Sequence, residues 1–253
     1  MANWNDPQPT NRGFGGSASP VGLGLGGANA RRGEVFDAGL RQHMLSIYNY
    51  MASGVLLSGL IALGFASSGM AEAVFGTPLR WVIALAPLAF VMIMSFGTNR
   101  LSTSAMQGMF WAFSAAMGMS LSSIFFVYTG PSIAATFFAT AGAFAGLSLF
   151  GYTTQKNLSG MGTFLIMGLV GILIASVINI FLQSPGLGWG ISFLGVLIFA
   201  GLTAYDTQKL KEQYSYVAGT DFAGKAVVLG ALTLYLDFIN MFTFLLQFMG
   251  DRR

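Results

Sequence analysis

Two aspartates stand where a carboxylate is costly. Asp237 lies in Leu234-Tyr235-Leu236-Asp237-Phe238-Ile239-Asn240, the middle of the last apolar run. Asp206 closes the preceding run, in Thr203-Ala204-Tyr205-Asp206-Thr207-Gln208. If the last helix starts near Lys225, Asp237 is about 18 Å along it at 1.5 Å per residue. A carboxylate at that depth in lipid costs roughly 2.5–3.5 kcal/mol on insertion scales, and such acids are functional candidates by default. Thr233, Asp237 and Asn240 are spaced i, i+4, i+7 and share a helix face, with Gln247 near the same line. That stripe is expected to point into a bundle. If the sixth helix continues past Asp206 toward Tyr214, this carboxylate too sits about two turns inside the helix end.

Two carboxylates facing each other in a low dielectric do not both ionise freely, so the pair is expected to titrate as one unit near physiological pH. The alternative is a polar clasp that only fixes helix register. Arg100, at the end of the second apolar run, is the candidate counter-ion. Tyr205, Thr233 and Asn240 are candidate supporting polar groups around an ion path. The only metal contact expected is transient calcium on Asp206 and Asp237. No catalytic residue and no cofactor is expected, and the chain reads as a non-enzyme.

The elements that must hold these acids are membrane spans. Of 253 residues 54% are hydrophobic and only 8% charged, against roughly a quarter charged in soluble domains. No Asp, Glu, Lys or Arg lies between Leu101 and Gln155 or between Asn157 and Tyr205. A hydrocarbon core about 30 Å thick takes roughly 20 apolar helical residues to cross, so each block holds two or three crossings. Seven spans are predicted, at about Met44–Ser67, Trp81–Phe96, Ala105–Tyr128, Ile133–Tyr152, Gly162–Leu182, Trp189–Tyr205 and Ala226–Met249. Small residues recur within them: Ser114 and Gly118, Gly142 and Gly146, and Gly54, Gly59 and Gly64. Such residues let helix backbones approach closely in lipid. Residues 1–32 are Gly-, Asn-, Pro- and Ser-rich without hydrophobic period and read as a disordered tail. Residues 33–253 form the transmembrane domain. The G-x-G-x-x-G match at Gly22, Gly24 and Gly27 lacks the strand and helix a dinucleotide site needs.

Charge gives the orientation. Nine basic residues (Arg12, Arg31, Arg32, Arg41, Arg100, Lys156, Lys209, Lys211 and Lys225) fall on one side, and Arg80, Arg252 and Arg253 on the other. The positive-inside rule then predicts a cytoplasmic N-terminus and an exported C-terminus. The basic residues flank apolar runs without aromatic interleaving, so the lipid bilayer is the expected partner and nucleic acid is not. Cysteine is absent, which excludes disulfides and thiolate chemistry. The single histidine, His43, reads as solvated or interfacial, since one His builds no metal site.

The blocks GLTAYDTQKLKEQY (Gly201–Tyr214) and ALTLYLDFINMFTFLLQFMG (Ala231–Gly250) resemble the C-terminal signature of the Bax inhibitor-1 family, in its bacterial branch. Gly118–Thr153 and Asn157–Leu169 add to the resemblance, which runs from about Gly33 to the C-terminus. It implies an all-α, seven-helix integral membrane bundle with the last helix central, wrapped by the other six. It also implies a pH-sensitive calcium leak gated by an aspartate pair at the positions of Asp206 and Asp237. In some members an arginine late in the second helix alternates with that pairing, and Arg100 stands near that position. Bacterial relatives are associated with the membrane protease FtsH, so the alternative function is a non-transporting regulator that binds and modulates FtsH. Either role places the chain in the bacterial inner membrane.

Other chemistries fit worse. An intramembrane aspartyl protease also uses two aspartates on consecutive helices, and Tyr205-Asp206 matches its first motif. Its Gly-x-Gly-Asp is replaced here by Leu234-Tyr235-Leu236-Asp237, and Ala86-Pro87-Leu88 is not its Pro-Ala-Leu. A rhomboid-type serine protease needs an intramembrane His. A retinal protein needs a mid-helix lysine in the last span, whereas Lys225 is at its end.

Overall fold

A computed structural model describes residues Gly24–Arg253, with side chains from Phe36 onward. Nine helices occupy the described residues: α1 (Gly24–Ser67), α2 (Met70–Phe75), α3 (Leu79–Gly97), α4 (Thr103–Leu121), α5 (Ile124–Val127), α6 (Gly130–Thr153), α7 (Ser159–Leu182), α8 (Pro185–Val217) and α9 (Ala223–Met249). Seven are long and apolar enough to cross a membrane, with the short α5 extending the span that α4 begins. No strand occurs among the described residues. The expected all-α, seven-span bundle is present.

The span boundaries shift where hydropathy and hydrogen bonding part company. The sixth span, expected to end at Tyr205, is a helix of 33 residues reaching Val217. A lipid-based window stops at the first charges, but a helix once formed adds a hydrogen bond per residue in water as in lipid. Lys209 and Lys211 therefore ride on helix, and only the short link between Val217 and Ala223 separates α8 from α9. The same propagation carries α1 back to Gly24. Of the expected disordered tail, Gly24–Arg32 belong to this helix, and the rest lies outside the described residues.

Local sequence explains the helix starts. Ser184, in extended conformation, caps α8 by accepting from the Leu187 N–H, and Pro185 follows at the first turn, where its missing N–H is harmless. Ser102 caps α4 in the same way through the Ala105 N–H. Lysines close two helix ends, where the last carbonyls lack intrahelical partners. Lys225 Nζ donates to the Thr98 carbonyl at 3.0 Å, and Lys211 Nζ to the Tyr152 carbonyl at 2.8 Å.

The last helix is the centre. In α9, 61% of the apolar window is buried, against 11% in α7. Tyr235 packs on Phe113 of α4 with ring centroids 5.0 Å apart, Phe238 on Phe144 of α6 at 5.6 Å, and Phe244 on Phe199 of α8 at 5.8 Å. Its face toward α1 is small: Gly230 lies against Ile47 and Leu210. Ser58 of α1 ties this core together through Tyr235 OH at 2.6 Å and the Ser114 carbonyl at 2.7 Å.

Close approach uses only some of the small residues. Gly118 meets the backbone of Ser58, and Gly54 the ring of Phe110 and the Ser114 hydroxyl, so the α1–α4 contact is as expected. Gly59, Gly64, Gly142 and Gly146 face open space instead. Spacing alone does not say which face of an evenly apolar helix finds a partner. The tightest approach of a glycine to another helix's backbone lies elsewhere, at Gly151 of α6 against Ala204 in α8.

Candidate functional site: a carboxyl pair between the last two long helices

Asp206 and Asp237 meet. Asp237 stands 14 residues beyond Ala223 and 12 before Met249, about 21 Å and 18 Å from the two ends of α9. Asp206 stands 11 residues before Val217, about 16 Å from that end of α8 and deeper than two turns. The antiparallel neighbours α8 and α9 bring the two carboxyl groups into hydrogen-bond contact. Asp237 is buried, with 5% of its surface exposed, and Asp206 is half-buried. One oxygen of Asp237, Oδ2, is buried and receives no hydrogen bond from a backbone N–H, hydroxyl, amide or cation. A charged carboxylate with an orphaned buried oxygen is costly, and the contact itself needs a donor hydrogen.

The pair opens onto a cavity of about 420 Å³ between α7, α8 and α9. Its polar lining is Tyr205, Asp206, Lys209, Thr233, Asp237 and Asn240, so the predicted stripe and the supporting Tyr205 do converge. Thr233 Oγ1 donates to the Leu229 carbonyl at 3.1 Å and Asn240 Nδ2 to the Leu236 carbonyl at 2.8 Å. The amide oxygen of Asn240 takes no part in that bond. Lys209, one turn after Asp206 and acting on it electrostatically, holds its ammonium 5.9 Å from the Tyr205 ring centroid. Gln247 lies farther along, exposed, accepting from Ser192 Oγ at 3.4 Å.

Arg100 is not at the pair. It lies exposed in the turn after α3, outside the cavity lining, and the cation beside Asp206 is Lys209. The end of a span fixes depth, not which helices are neighbours. His43 also departs from expectation: it is buried, its ring 5.2 Å from that of Tyr214. The two meet because α1 and α8 both extend beyond their apolar runs.

Sequence reading missed the apolar side of the site. Phe199 and Phe244 line the cavity and stack with an interplanar angle of 25°. Each lies about two turns from the pair, before Asp206 on α8 and after Asp237 on α9, and Gly195 makes room for Phe244. Their seven-residue spacing from the acids was the only signal, and nothing in residue type sets them apart among 23 phenylalanines. Among the described residues no cluster of three or more His, Cys, Asp or Glu could hold a metal ion. Two carboxyls supply a minority of the six to eight oxygens that calcium takes.

The comparisons agree along nearly the whole chain. The family model described as inhibitor of apoptosis-promoting Bax1 matches residues 40–253. The chain is 45% identical over 220 residues to YbhL of Escherichia coli, named an inner membrane protein, covering 85% of this chain and 94% of that one. It is 48% identical over 231 residues to an uncharacterized protein of Caulobacter vibrioides, covering 86% and 91%. An uncharacterized protein of Rickettsia prowazekii is 43% identical over 224 residues, covering 88% and 94%. With seven apolar helices, the last of them carboxyl-bearing and the most buried, the chain belongs to the Bax inhibitor-1 family.

Proposed function

We propose that this protein is a pH-sensitive cation leak of the bacterial inner membrane, calcium being the permeant ion, with the Asp206–Asp237 pair as its gate. The observation that carries this reading is the contact of two membrane-depth carboxyls at the wall of a polar-lined cavity. The sign follows from electrostatics. The contact persists while the pair keeps a proton; as pH rises and that proton leaves, two adjacent anions repel and α8 and α9 must part. The ionised pair, with the Asn240 amide oxygen, then offers a passing cation oxygen ligands. The stacked rings of Phe199 and Phe244 bound the cavity toward the other end of α9, so opening also has to displace an apolar barrier. No cofactor and no catalytic group enters this mechanism.

Two further points belong to the same reading. The nine-to-three distribution of Lys and Arg supports a cytoplasmic N-terminus and an exported C-terminus. The Lys209 end of the cavity then faces the cytoplasm and the Phe244 end the exterior.

The test is calcium entry into proteoliposomes holding the purified chain and an internal calcium dye. The proposal expects entry above that of protein-free vesicles, increasing from acid to neutral pH. No entry at any pH refutes it and favours the non-transporting regulator, for which co-purification with FtsH is the corresponding assay.

A further inference from the structure

A second cavity, away from the carboxyl pair, lies between α1 and α6. It holds about 560 Å³, a size typical of ligand sites at roughly 300–1,000 Å³. Its floor is buried: Met44 and Met51 of α1, and Phe144 of α6. Its rims, Leu45 and Leu149, are exposed. The polar atoms in its wall are already engaged. Tyr48 OH bonds Ser148 Oγ at 2.6 Å, and Ser148 Oγ in turn bonds Thr207 Oγ1 at 2.9 Å. An apolar occupant therefore leaves no donor or acceptor stranded.

The two ends differ. At one end stands Arg41, an exposed guanidinium without a carboxylate partner among the described residues. Tyr152 is at the same end, and Lys211 holds its ammonium 5.2 Å from the Tyr152 ring centroid while donating to the Tyr152 carbonyl. An ammonium has three hydrogens to donate, so this bond leaves two. From Arg41 the groove follows α1 to Ala52, a length of about 16 Å at 1.5 Å per residue. That is close to half of a hydrocarbon core about 30 Å thick. A transmembrane helix of a partner or a second copy needs the full thickness. One leaflet's acyl chain needs half, with its headgroup at the cationic end.

We propose that the α1–α6 groove is a binding site for one anionic phospholipid, an acyl chain lying along Met44, Met51 and Phe144 and the phosphate between Arg41 and Lys211. Because Ser148 and Thr207 join this wall to α8, an occupied groove also braces the helix that carries Asp206.

The test is native mass spectrometry of the full chain, titrated with phosphatidylglycerol and phosphatidylcholine of identical acyl chains. A basic residue near a lipid surface contributes roughly fivefold in affinity. Parent protein is expected to bind one phosphatidylglycerol about tenfold or more tighter than phosphatidylcholine. Arg41→Gln, which breaks no hydrogen bond of the fold, should lower phosphatidylglycerol affinity roughly fivefold, and Arg41→Gln with Lys211→Gln about thirtyfold, with phosphatidylcholine unmoved. Ala145→Phe, filling the groove, should weaken both lipids, and Arg80→Gln neither. Equal binding of the two lipids by the parent overturns the proposal, as does undiminished phosphatidylglycerol binding by Arg41→Gln. A dimer that Ala145→Phe abolishes while lipid binding stays unchanged overturns it in favour of a second copy.

Discussion

Gly151 and Gly146 lie on the same helix and differ only in what a methyl group would meet there. A Cβ on Gly151 runs into the Ala204 carbonyl oxygen, 2.9 Å from its carbon and 3.0 Å from its Cα, whereas one on Gly146 meets nothing within 4 Å. Ordinary contact begins at 3.4 Å, and the Ala204 oxygen is the nearest of the three atoms, so Gly151→Ala must part α6 and α8 by on the order of 1 Å, and backbone cannot rotate aside as a side chain can. Overpacking of this kind costs about 1–3 kcal/mol. Gly146→Ala, in the helix interior, gains about 0.8–1.0 kcal/mol of helix propensity and Gly151→Ala, in the last turn, no more than that, so the contact sets the order of the two. Gly151→Ala should therefore be about 1–3 kcal/mol less stable than Gly146→Ala. For a domain of this size that corresponds to roughly 2–4 °C in Tm per kcal/mol. Circular dichroism of the two variants and the parent, melted in one detergent, reads the order Gly146→Ala at or above parent and Gly151→Ala lowest. If both variants melt together, the close approach of α6 and α8 is not as described, and the placement of Asp206 built on it falls too.

Gln208 joins the α6–α7 link to α8, its Oε1 accepting from the Leu158 N–H at 2.8 Å and its Nε2 donating to the Lys156 carbonyl at 2.9 Å. Gln208→Leu should cost about 1–3 kcal/mol through the groups it strands, and limited proteolysis should cut faster at residues 154–158; an unchanged digest would contradict this. The C-terminal residues clasp the start of α6: the Thr129 N–H donates to the Asp251 carbonyl, the Asp251 N–H to Ser132 Oγ and the Arg253 N–H to the Val127 carbonyl, at 2.9–3.0 Å. Deleting Asp251–Arg253 should raise amide exchange at residues 127–132 and leave that of α9 unchanged. Phe244→Ala removes one ring of the Phe199–Phe244 stack, so calcium entry should increase at every pH while its pH dependence remains; a decrease would place the barrier elsewhere.

The sequence revealed what depth and period determine. Charge-free blocks of known length mark the spans, and i, i+4, i+7 spacing put Thr233, Asp237 and Asn240 on one face, which the cavity confirms. It did not reveal what depends on how one helix face meets another. Arg100 and Lys209 are both cations near span ends, yet only Lys209 shares a helix with Asp206, and three residues of separation on one helix fix a neighbour where membrane depth does not. Gly142 and Gly146 repeat at the right spacing and face open space, while Gly151, part of no pair noticed, meets backbone. Stacking of Phe199 on Phe244 depends on the register of α8 against α9, which two evenly apolar helices do not announce in their residue types. Hydropathy also hid how far α8 continues beyond the membrane, since its last turns are helical but polar.

The account rests on the carboxyl pair, and the pH dependence of calcium entry in paired variants tests it most directly. Asp237→Asn keeps the shape and a hydrogen-bond donor toward Asp206 but cannot lose a proton in the working range, so contact should persist at every pH. The account predicts that parent proteoliposomes admit calcium faster as pH rises, and that Asp237→Asn and Asp206→Asn flatten that profile. Parent and both variants leaking alike across the whole pH range would contradict it.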